Sequence, residues 1–271
     1  MFTYFAEHTG LQHISHLCKQ MPMGAVFHRH FHTNFEILLV ITGNVHYNID
    51  GEQYILKPYD LLLIPASTYH FVIPMSNVPY ENYVLNFSPE ILDNEQRALF
   101  VKPRIINIGS DLLLHRMFGL LDTYHAMYSQ ADFAKASGCL LSEILLYIRH
   151  ALQTRTYPKP LQDSNPNISK IVCYITDHLQ SEINCDILSQ QLGFSKSYVQ
   201  NLFSKYMGIG LQQYINQKKI HAAHYDIQKG MSPSAAAAKY GYRNYSSFFR
   251  QYKTFFGNTP KSGKHSNLGG L

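Results

Sequence analysis

At 271 residues, 45% hydrophobic and 15% charged, the chain is long enough for two folded domains and too apolar to be disordered overall. No apolar run reaches membrane-span length, Met1-Phe2-Thr3-Tyr4-Phe5-Ala6-Glu7-His8 has no secretory-signal character, and Cys18, Cys139, Cys173 and Cys185 form no CxxC pair. These features predict a cytoplasmic protein without a membrane partner, a disulfide framework or a zinc finger. The net charge of +5 hides an asymmetry: residues 1–166 hold 11 Lys/Arg and 14 Asp/Glu, residues 167–271 hold 12 and 4. A basic final third suits a polyanion such as DNA, although a basic soluble surface would look the same.

Residues 20–90 read as β-structure. Short runs of Ile, Leu, Val, Phe and Tyr are separated by Thr42-Gly43-Asn44, Asp50-Gly51 and Lys57-Pro58. Asp50-Gly51 between two alternating runs predicts a hairpin. Strands at this spacing suggest a sandwich or barrel. From about Asp111 the apolar period becomes helical: Leu113, Met117, Leu120, Leu121 and Tyr124, then Leu140, Leu141, Ile144, Leu145 and Ile148. Two helices are therefore added to the barrel. They either pack on their own domain, cover an open side of it, or pair two copies into a homodimer. Three prolines in residues 154–167 predict a linker. The predicted organisation is a first domain at 1–153, this linker, a second domain at 168–262 and a flexible tail at 263–271.

The second domain contains a weak duplication. Leu188 and Ser189 precede Gly193-Phe194, Ser195, a helix ending near Phe203, and Gly208. Ala236 and Ala237 precede Gly241-Tyr242, Asn244, a helix through Tyr252, and Gly257. Each unit reads as helix, turn, helix, with Ser195 and Asn244 as N-caps. In the first, Tyr198, Val199, Leu202, Phe203 and Tyr206 form the apolar stripe, which leaves Lys196, Ser197, Gln200 and Asn201 outside. In the second, Phe248 and Tyr252 turn inward, while Tyr245, Ser246, Phe249 and Arg250 turn outward. Amide side chains read adenine, Arg reads guanine or holds phosphate, and an exposed Phe meets a thymine methyl. Lys196, Ser197, Gln200, Asn201, Asn244, Tyr245, Ser246, Phe249 and Arg250 are therefore the candidate DNA-binding residues. Lys170, Lys196, Lys205, Lys218 and Lys253 are candidate phosphate contacts. Packing within the domain is the competing explanation for each.

Residues 185–260 resemble the paired helix-turn-helix domain of AraC/XylS-type transcription regulators. The most specific stretch runs from Gly241 to Lys253, followed by Gly257-Asn258-Thr259-Pro260. Lys219 stands where an Arg is usual, and Pro233, Ala235 and Ala236 replace the usual Ile, Glu and Ile. In the first domain, Gly24, His30, His32, Glu36 and Gly43 fit G-x5-H-x-H-x3-E-x6-G, which resembles the first cupin motif. The second cupin motif is looser, with Pro65 and His70 in place. The resemblance implies an effector pocket holding His28, His30, His32, Glu36 and His70. In metal-binding cupins, His30, His32, Glu36 and His70 would be the ligands, a set suited to Fe, Mn, Ni or Zn.

The expected fold has two domains: an N-terminal all-β cupin-like barrel with two added helices, and a C-terminal all-α double helix-turn-helix. The expected function is a one-component transcription regulator that binds double-stranded DNA under the control of a small-molecule effector. It is expected to be a homodimer and not an enzyme. No cofactor is expected, although a divalent metal is chemically feasible. The alternative is a metal-dependent cupin enzyme with an appended DNA-binding domain.

Overall fold

Alternating apolar residues in the first part of the chain pair into two antiparallel sheets. The strands are β1 (Phe2–Phe5), β2 (Leu11–Lys19), β3 (Phe27–His30), β4 (Phe35–Thr42), β5 (Val45–Ile49), β6 (Glu52–Leu56), β7 (Asp60–Ile64), β8 (His70–Pro74), β9 (Tyr80–Phe87), β10 (Arg104–Asn107) and β11 (Leu161–Gln162). One sheet has the order β1-β2-β9-β4-β7-β10 and the other β11-β6-β5-β8-β3. The computed structural model describes residues 1–5, 10–109, 111–154, 161–162 and 165–260. Two compact units divide at Asp163/Ser164.

The predicted hairpin forms at Asp50-Gly51, with Ile49 paired to Glu52. Both turn residues have positive φ, 48° and 87°, as a type I′ turn requires. The Asn48 carboxamide oxygen accepts from Gly51 N–H at 3.0 Å and secures it.

The larger sheet is buried on both faces, so β4 reads Phe-Glu-Ile-Leu-Leu-Val without polar alternation. Leu38 and Val40 join Val45, Tyr47, Leu62 and Val72 between the sheets. Ile37 and Leu39 face the opposite way, into a core completed by helices. After the one-turn helix α1 (Asn94–Arg97), these are α2 (Leu112–Met127) and α3 (Gln130–Thr154). Both pack on the outer face of the larger sheet through Leu114, Met117, Phe118 and Leu121, and through Leu140, Leu141, Ile144, Leu145 and Ile148.

The α3 stripe matches the sequence reading. On α2 the buried face is rotated: Leu113 is 48% exposed, and Leu114 and Phe118 take the core positions. Polar ties fix the layer. Asp111 caps α2 and also accepts from the Tyr147 hydroxyl of α3. His16 of β2 bridges Glu81 at 2.9 Å and Asp122 of α2 at 2.8 Å.

The tract predicted as a linker is partly structured. Thr154 still belongs to α3, Leu161 and Gln162 pair with Ile55 and Tyr54, and the next helix begins at Pro166. Residues 155–160 and 163–164 of that tract, and the predicted tail 263–271, lie outside the described residues.

The second unit is helical: α4 (Pro166–Asp177), α5 (Cys185–Leu192), α6 (Lys196–Met207), α7 (Leu211–Gln228), α8 (Pro233–Lys239) and α9 (Tyr245–Phe256). Helix α8 has almost no side-chain bulk, so Ala236 and Ala237 pack directly among Ile220, Ala223, Ile227, Phe248 and Tyr252. His224 of α7 stacks on Phe256 and lies 2.6 Å from the Tyr252 hydroxyl. Burial pushes its imidazole down to about 4. Protonation therefore favours the unfolded chain. Stability from this residue is complete above the ordinary histidine value of about 6.5 and declines as pH falls from there toward 4. Urea denaturation between pH 7.5 and 4.5 is expected to show a smaller loss of stability in His224→Gln than in the natural protein. Equal losses would exclude His224 as the titrating group.

Candidate DNA interface and barrel pocket

Helices α6 and α9 sit in matching frames. Gly193, at φ 70°, ends α5, and the Ser195 hydroxyl accepts from Tyr198 N–H at the start of α6. In the second unit Gly241, at φ 78°, precedes Asn244, whose side-chain oxygen accepts from Ser246 N–H. Left-handed backbone at these glycines would strain any residue with a Cβ. The caps satisfy helix-end N–H groups and aim the first turns outward.

The apolar faces turn inward: Val199, Leu202, Phe203 and Met207 on α6, and Phe248 and Tyr252 on α9. Lys196, Ser197, Gln200, Asn201, Asn244, Tyr245, Ser246 and Arg250 are exposed, and Phe249 is half-buried. Three placements differ from the sequence reading. Tyr198 is exposed, and its hydroxyl accepts from Asn167 of α4 at 2.9 Å. Lys218 is buried, with its ammonium 5.9 Å from the Tyr214 ring centre, and so is removed from the phosphate contacts. Lys196 pairs with Asp186 at 2.7 Å on the surface.

In the first unit, the sheets enclose a cavity of about 360 Å³. His30, His32 and Glu36 line it, and His70 joins them on β8. Ligand atoms of these four residues all lie within 4.8 Å of one another. His28 is on β3, but its side chain is outside the described part of the structure.

The hydrogen bonds define the chemistry. Nδ1 of His32 faces the Asn34 carbonyl at 2.9 Å, and Nδ1 of His70 faces the Thr68 carbonyl at 3.0 Å. Carbonyl oxygens only accept, so each Nδ1 carries the proton and each Nε2 turns a lone pair to Glu36. The Nε2 to carboxylate distances are 3.0 Å and 3.8 Å. His70 Nε2 is fully buried without a hydrogen-bond partner. Lone pairs converging in this way need a cation, either a second proton on an imidazole or a metal ion, so the donor set fits a metal. Burial alone would raise the Glu36 carboxyl. Where His32 carries the second proton, its Nε2–H donates to Glu36, and that bond with the charge on the surrounding histidines outweighs burial and holds the carboxyl well below the carboxylate range. Burial holds His70 down at about 3.

The far wall was missed in the sequence. Tyr80, Asn82, Val84 and Asn86 alternate along β9 and line the cavity, with Ser15 and Gln12 of the neighbouring strand region. The signal was present: polar side chains alternate with Tyr83, Leu85 and Phe87, so a strand buried on both faces has one polar face. Tyr47 also lines the cavity. Tyr83 faces the helices and donates to Asp122, and Tyr69 packs on Phe31 and Phe71.

Residues 17–147 match the AraC-like ligand binding domain family, and residues 188–264 match a helix-turn-helix domain family. The HTH-type transcriptional regulator YbfI of Bacillus subtilis is 21% identical over 221 residues, 81% of this chain and 80% of YbfI. The multiple antibiotic resistance protein MarA of Escherichia coli is 28% identical over 104 residues, 38% of this chain and 82% of MarA. Among solved structures, ToxT from Vibrio cholerae aligns over 94% of this chain and 99% of its own, with 11% identity and a TM-score of 0.41. A ligand-binding barrel on one chain with paired DNA-reading helices defines a transcription regulator. The protein belongs to the AraC/XylS-type regulators.

The cap at Ser195 holds the first candidate reading helix. Ser195→Ala is expected to cost about 1 kcal/mol of stability, measured by urea denaturation. A change below a few tenths would show that the cap contributes nothing.

Proposed function

We propose that the regulator reads duplex DNA with Lys196, Ser197, Gln200 and Asn201 of α6 and with Asn244, Tyr245, Ser246, Phe249 and Arg250 of α9. The observation that carries this reading is that both helices bury their apolar faces and leave these side chains accessible. Lys170, Lys205 and Lys253 are exposed and supply phosphate contacts. Arg250→Ala is expected to weaken binding to a selected operator by about 1–3 kcal/mol and relax preference at one base pair, read by fluorescence anisotropy. Unchanged affinity and preference would remove Arg250 from the interface.

The barrel cavity takes the small-molecule effector, contacted by His30, His32 and Glu36, with His70 buried beside them rather than on the cavity wall. The effector acts by binding one arrangement of the protein better than another. No turnover is assigned to the barrel, in keeping with relatives named as transcription regulators. The protein acts in the cytoplasm as a homodimer. Exposed Leu112, Leu113 and Leu146 on α2 and α3 are the surface proposed for the second copy.

The converging lone pairs at Glu36 favour a divalent transition metal among the four side chains. His30, His32, Glu36 and His70 would hold it, and it would supply a Lewis-acidic anchor for an effector oxygen or nitrogen. About one equivalent of Mn, Fe, Ni or Zn is expected to survive dialysis of the purified protein and to be absent from His70→Ala. Metal-free natural protein after reconstitution with each ion would rule this occupant out.

A further inference from the structure

A second concave feature lies in the helical unit and shares Asn244 with the reading face of α9. A cleft of about 790 Å³ opens between the helix-turn-helix units, walled by the residues before α5, one face of α7, the Tyr240–Asn244 turn and the inner face of α9. Its lining is unusual in hydrogen-bonding sense. Five carboxamides face it, and in four of them the oxygen is already engaged within the protein, while Gln212 spends its NH₂ on Asn216. Asn184 accepts from Ile187 N–H at 3.0 Å, and Asn244 accepts from Ser246 N–H at 2.8 Å. Asn216 accepts from Gln212 Nε2 at 3.0 Å, and Gln251 accepts from the Tyr242 hydroxyl at 2.9 Å. Those four amides are turned so that the NH₂, which can only donate, faces a ligand as the main free group. Arg243 on the rim adds a guanidinium whose side chain is 90% exposed and 3.6 Å from Glu182, the one carboxylate on the described walls. Lys219 adds an ammonium that donates to the Ser181 carbonyl.

We propose that this cleft is a third DNA contact, in which the amide groups of Asn184, Asn216, Asn244 and Gln251, with Arg243, hold phosphodiester oxygens of the backbone between the two stretches read by α6 and α9. A cleft in which four amide groups, Arg243 and Lys219 outnumber the acceptors Glu182 and Gln212 favours a ligand rich in acceptors, and phosphate oxygens supply them. Continuity names duplex DNA as the occupant. Asn244 and Ser247 on the cleft wall adjoin Tyr245 and Ser246 on the proposed reading face, so a strand read by those two residues passes the cleft. Contacts to phosphate position the protein and carry no base information.

The inference rests on DNA binding by the two helices, and the test separates them. Full-length protein is titrated with a duplex selected from random sequences and with a scrambled duplex of equal length. Asn216→Asp and Gln251→Glu keep the internal acceptor but put a carboxylate in place of the donor. Each is expected to weaken both duplexes by the same factor, about tenfold. Arg243→Ala is expected to lower the slope of log affinity against log salt by about 1. Asn216→Ala, which adds no charge, is expected to act in the same direction, with the helical circular dichroism of the natural protein retained. Natural protein that binds neither duplex overturns the regulator reading and the cleft together. Natural protein that binds while all four variants match it overturns the cleft alone. Variants that bind DNA normally but fail to activate or repress transcription would assign the cleft to a protein partner and overturn it as well.

Discussion

The pleat of one strand organises the N-terminal unit. Successive side chains of β4 leave on opposite faces of the larger sheet, so Ile37 and Leu39 hold the helical layer while Glu36 and Leu38 form the wall of the cavity. A slip of one residue would place Glu36 in a hydrocarbon core and Ile37 in a polar pocket. The register is held by pairing with β7 and β9, in which Glu36 lies between Ile64 and Asn86. Because one strand serves both faces, whatever occupies the cavity presses on the same backbone that seats α2 and α3. On the proposed reading, that shared strand would link an effector to the helical layer.

The helical unit obeys a different constraint. Its two halves repeat the same sequence of events: a glycine in left-handed conformation, a capping side chain, an amphipathic helix, and a glycine that ends it. The cores behind them differ. The first uses Val199, Leu202, Phe203 and Met207, whereas the second combines aromatic rings on α9 with bare alanines on α8. Ala236, where a larger residue is usual, packs in the same core as the rings of Phe248 and Tyr252, whereas Ala235 is exposed.

Much of this was legible in the chain itself. The Asp50-Gly51 hairpin, the α3 stripe and both capped helix starts follow from local rules that tertiary packing did not override. The Leu113 assignment failed because α2 begins with three consecutive leucines, and periodicity alone does not choose among them; the Asp111 cap and its tie to Tyr147 set the rotation. Lys218 was misplaced because a lysine in an amphipathic pattern reads as surface, whereas its stem and ammonium lie against Tyr214. The His30, His32, Glu36 and His70 cluster was visible as a spacing. The amides of Asn82 and Asn86 that complete the wall show as polar alternation on β9, but alternation alone does not tell a cavity face from a solvent-exposed one. Nor does the sequence show the cleft amides, since which atom of a carboxamide remains available depends on partners remote in sequence.

The alanine pair on α8 has a mechanical consequence. A contact made by methyl groups on backbone has nothing to trim and little room for growth, so in this core a bulkier side chain at Ala236 or Ala237 would have to push its neighbours on α7 and α9 aside. The seating of the connecting rod and the last rod is thereby set by two of the smallest side chains in the unit, while residues on the outer surfaces can be exchanged without disturbing it.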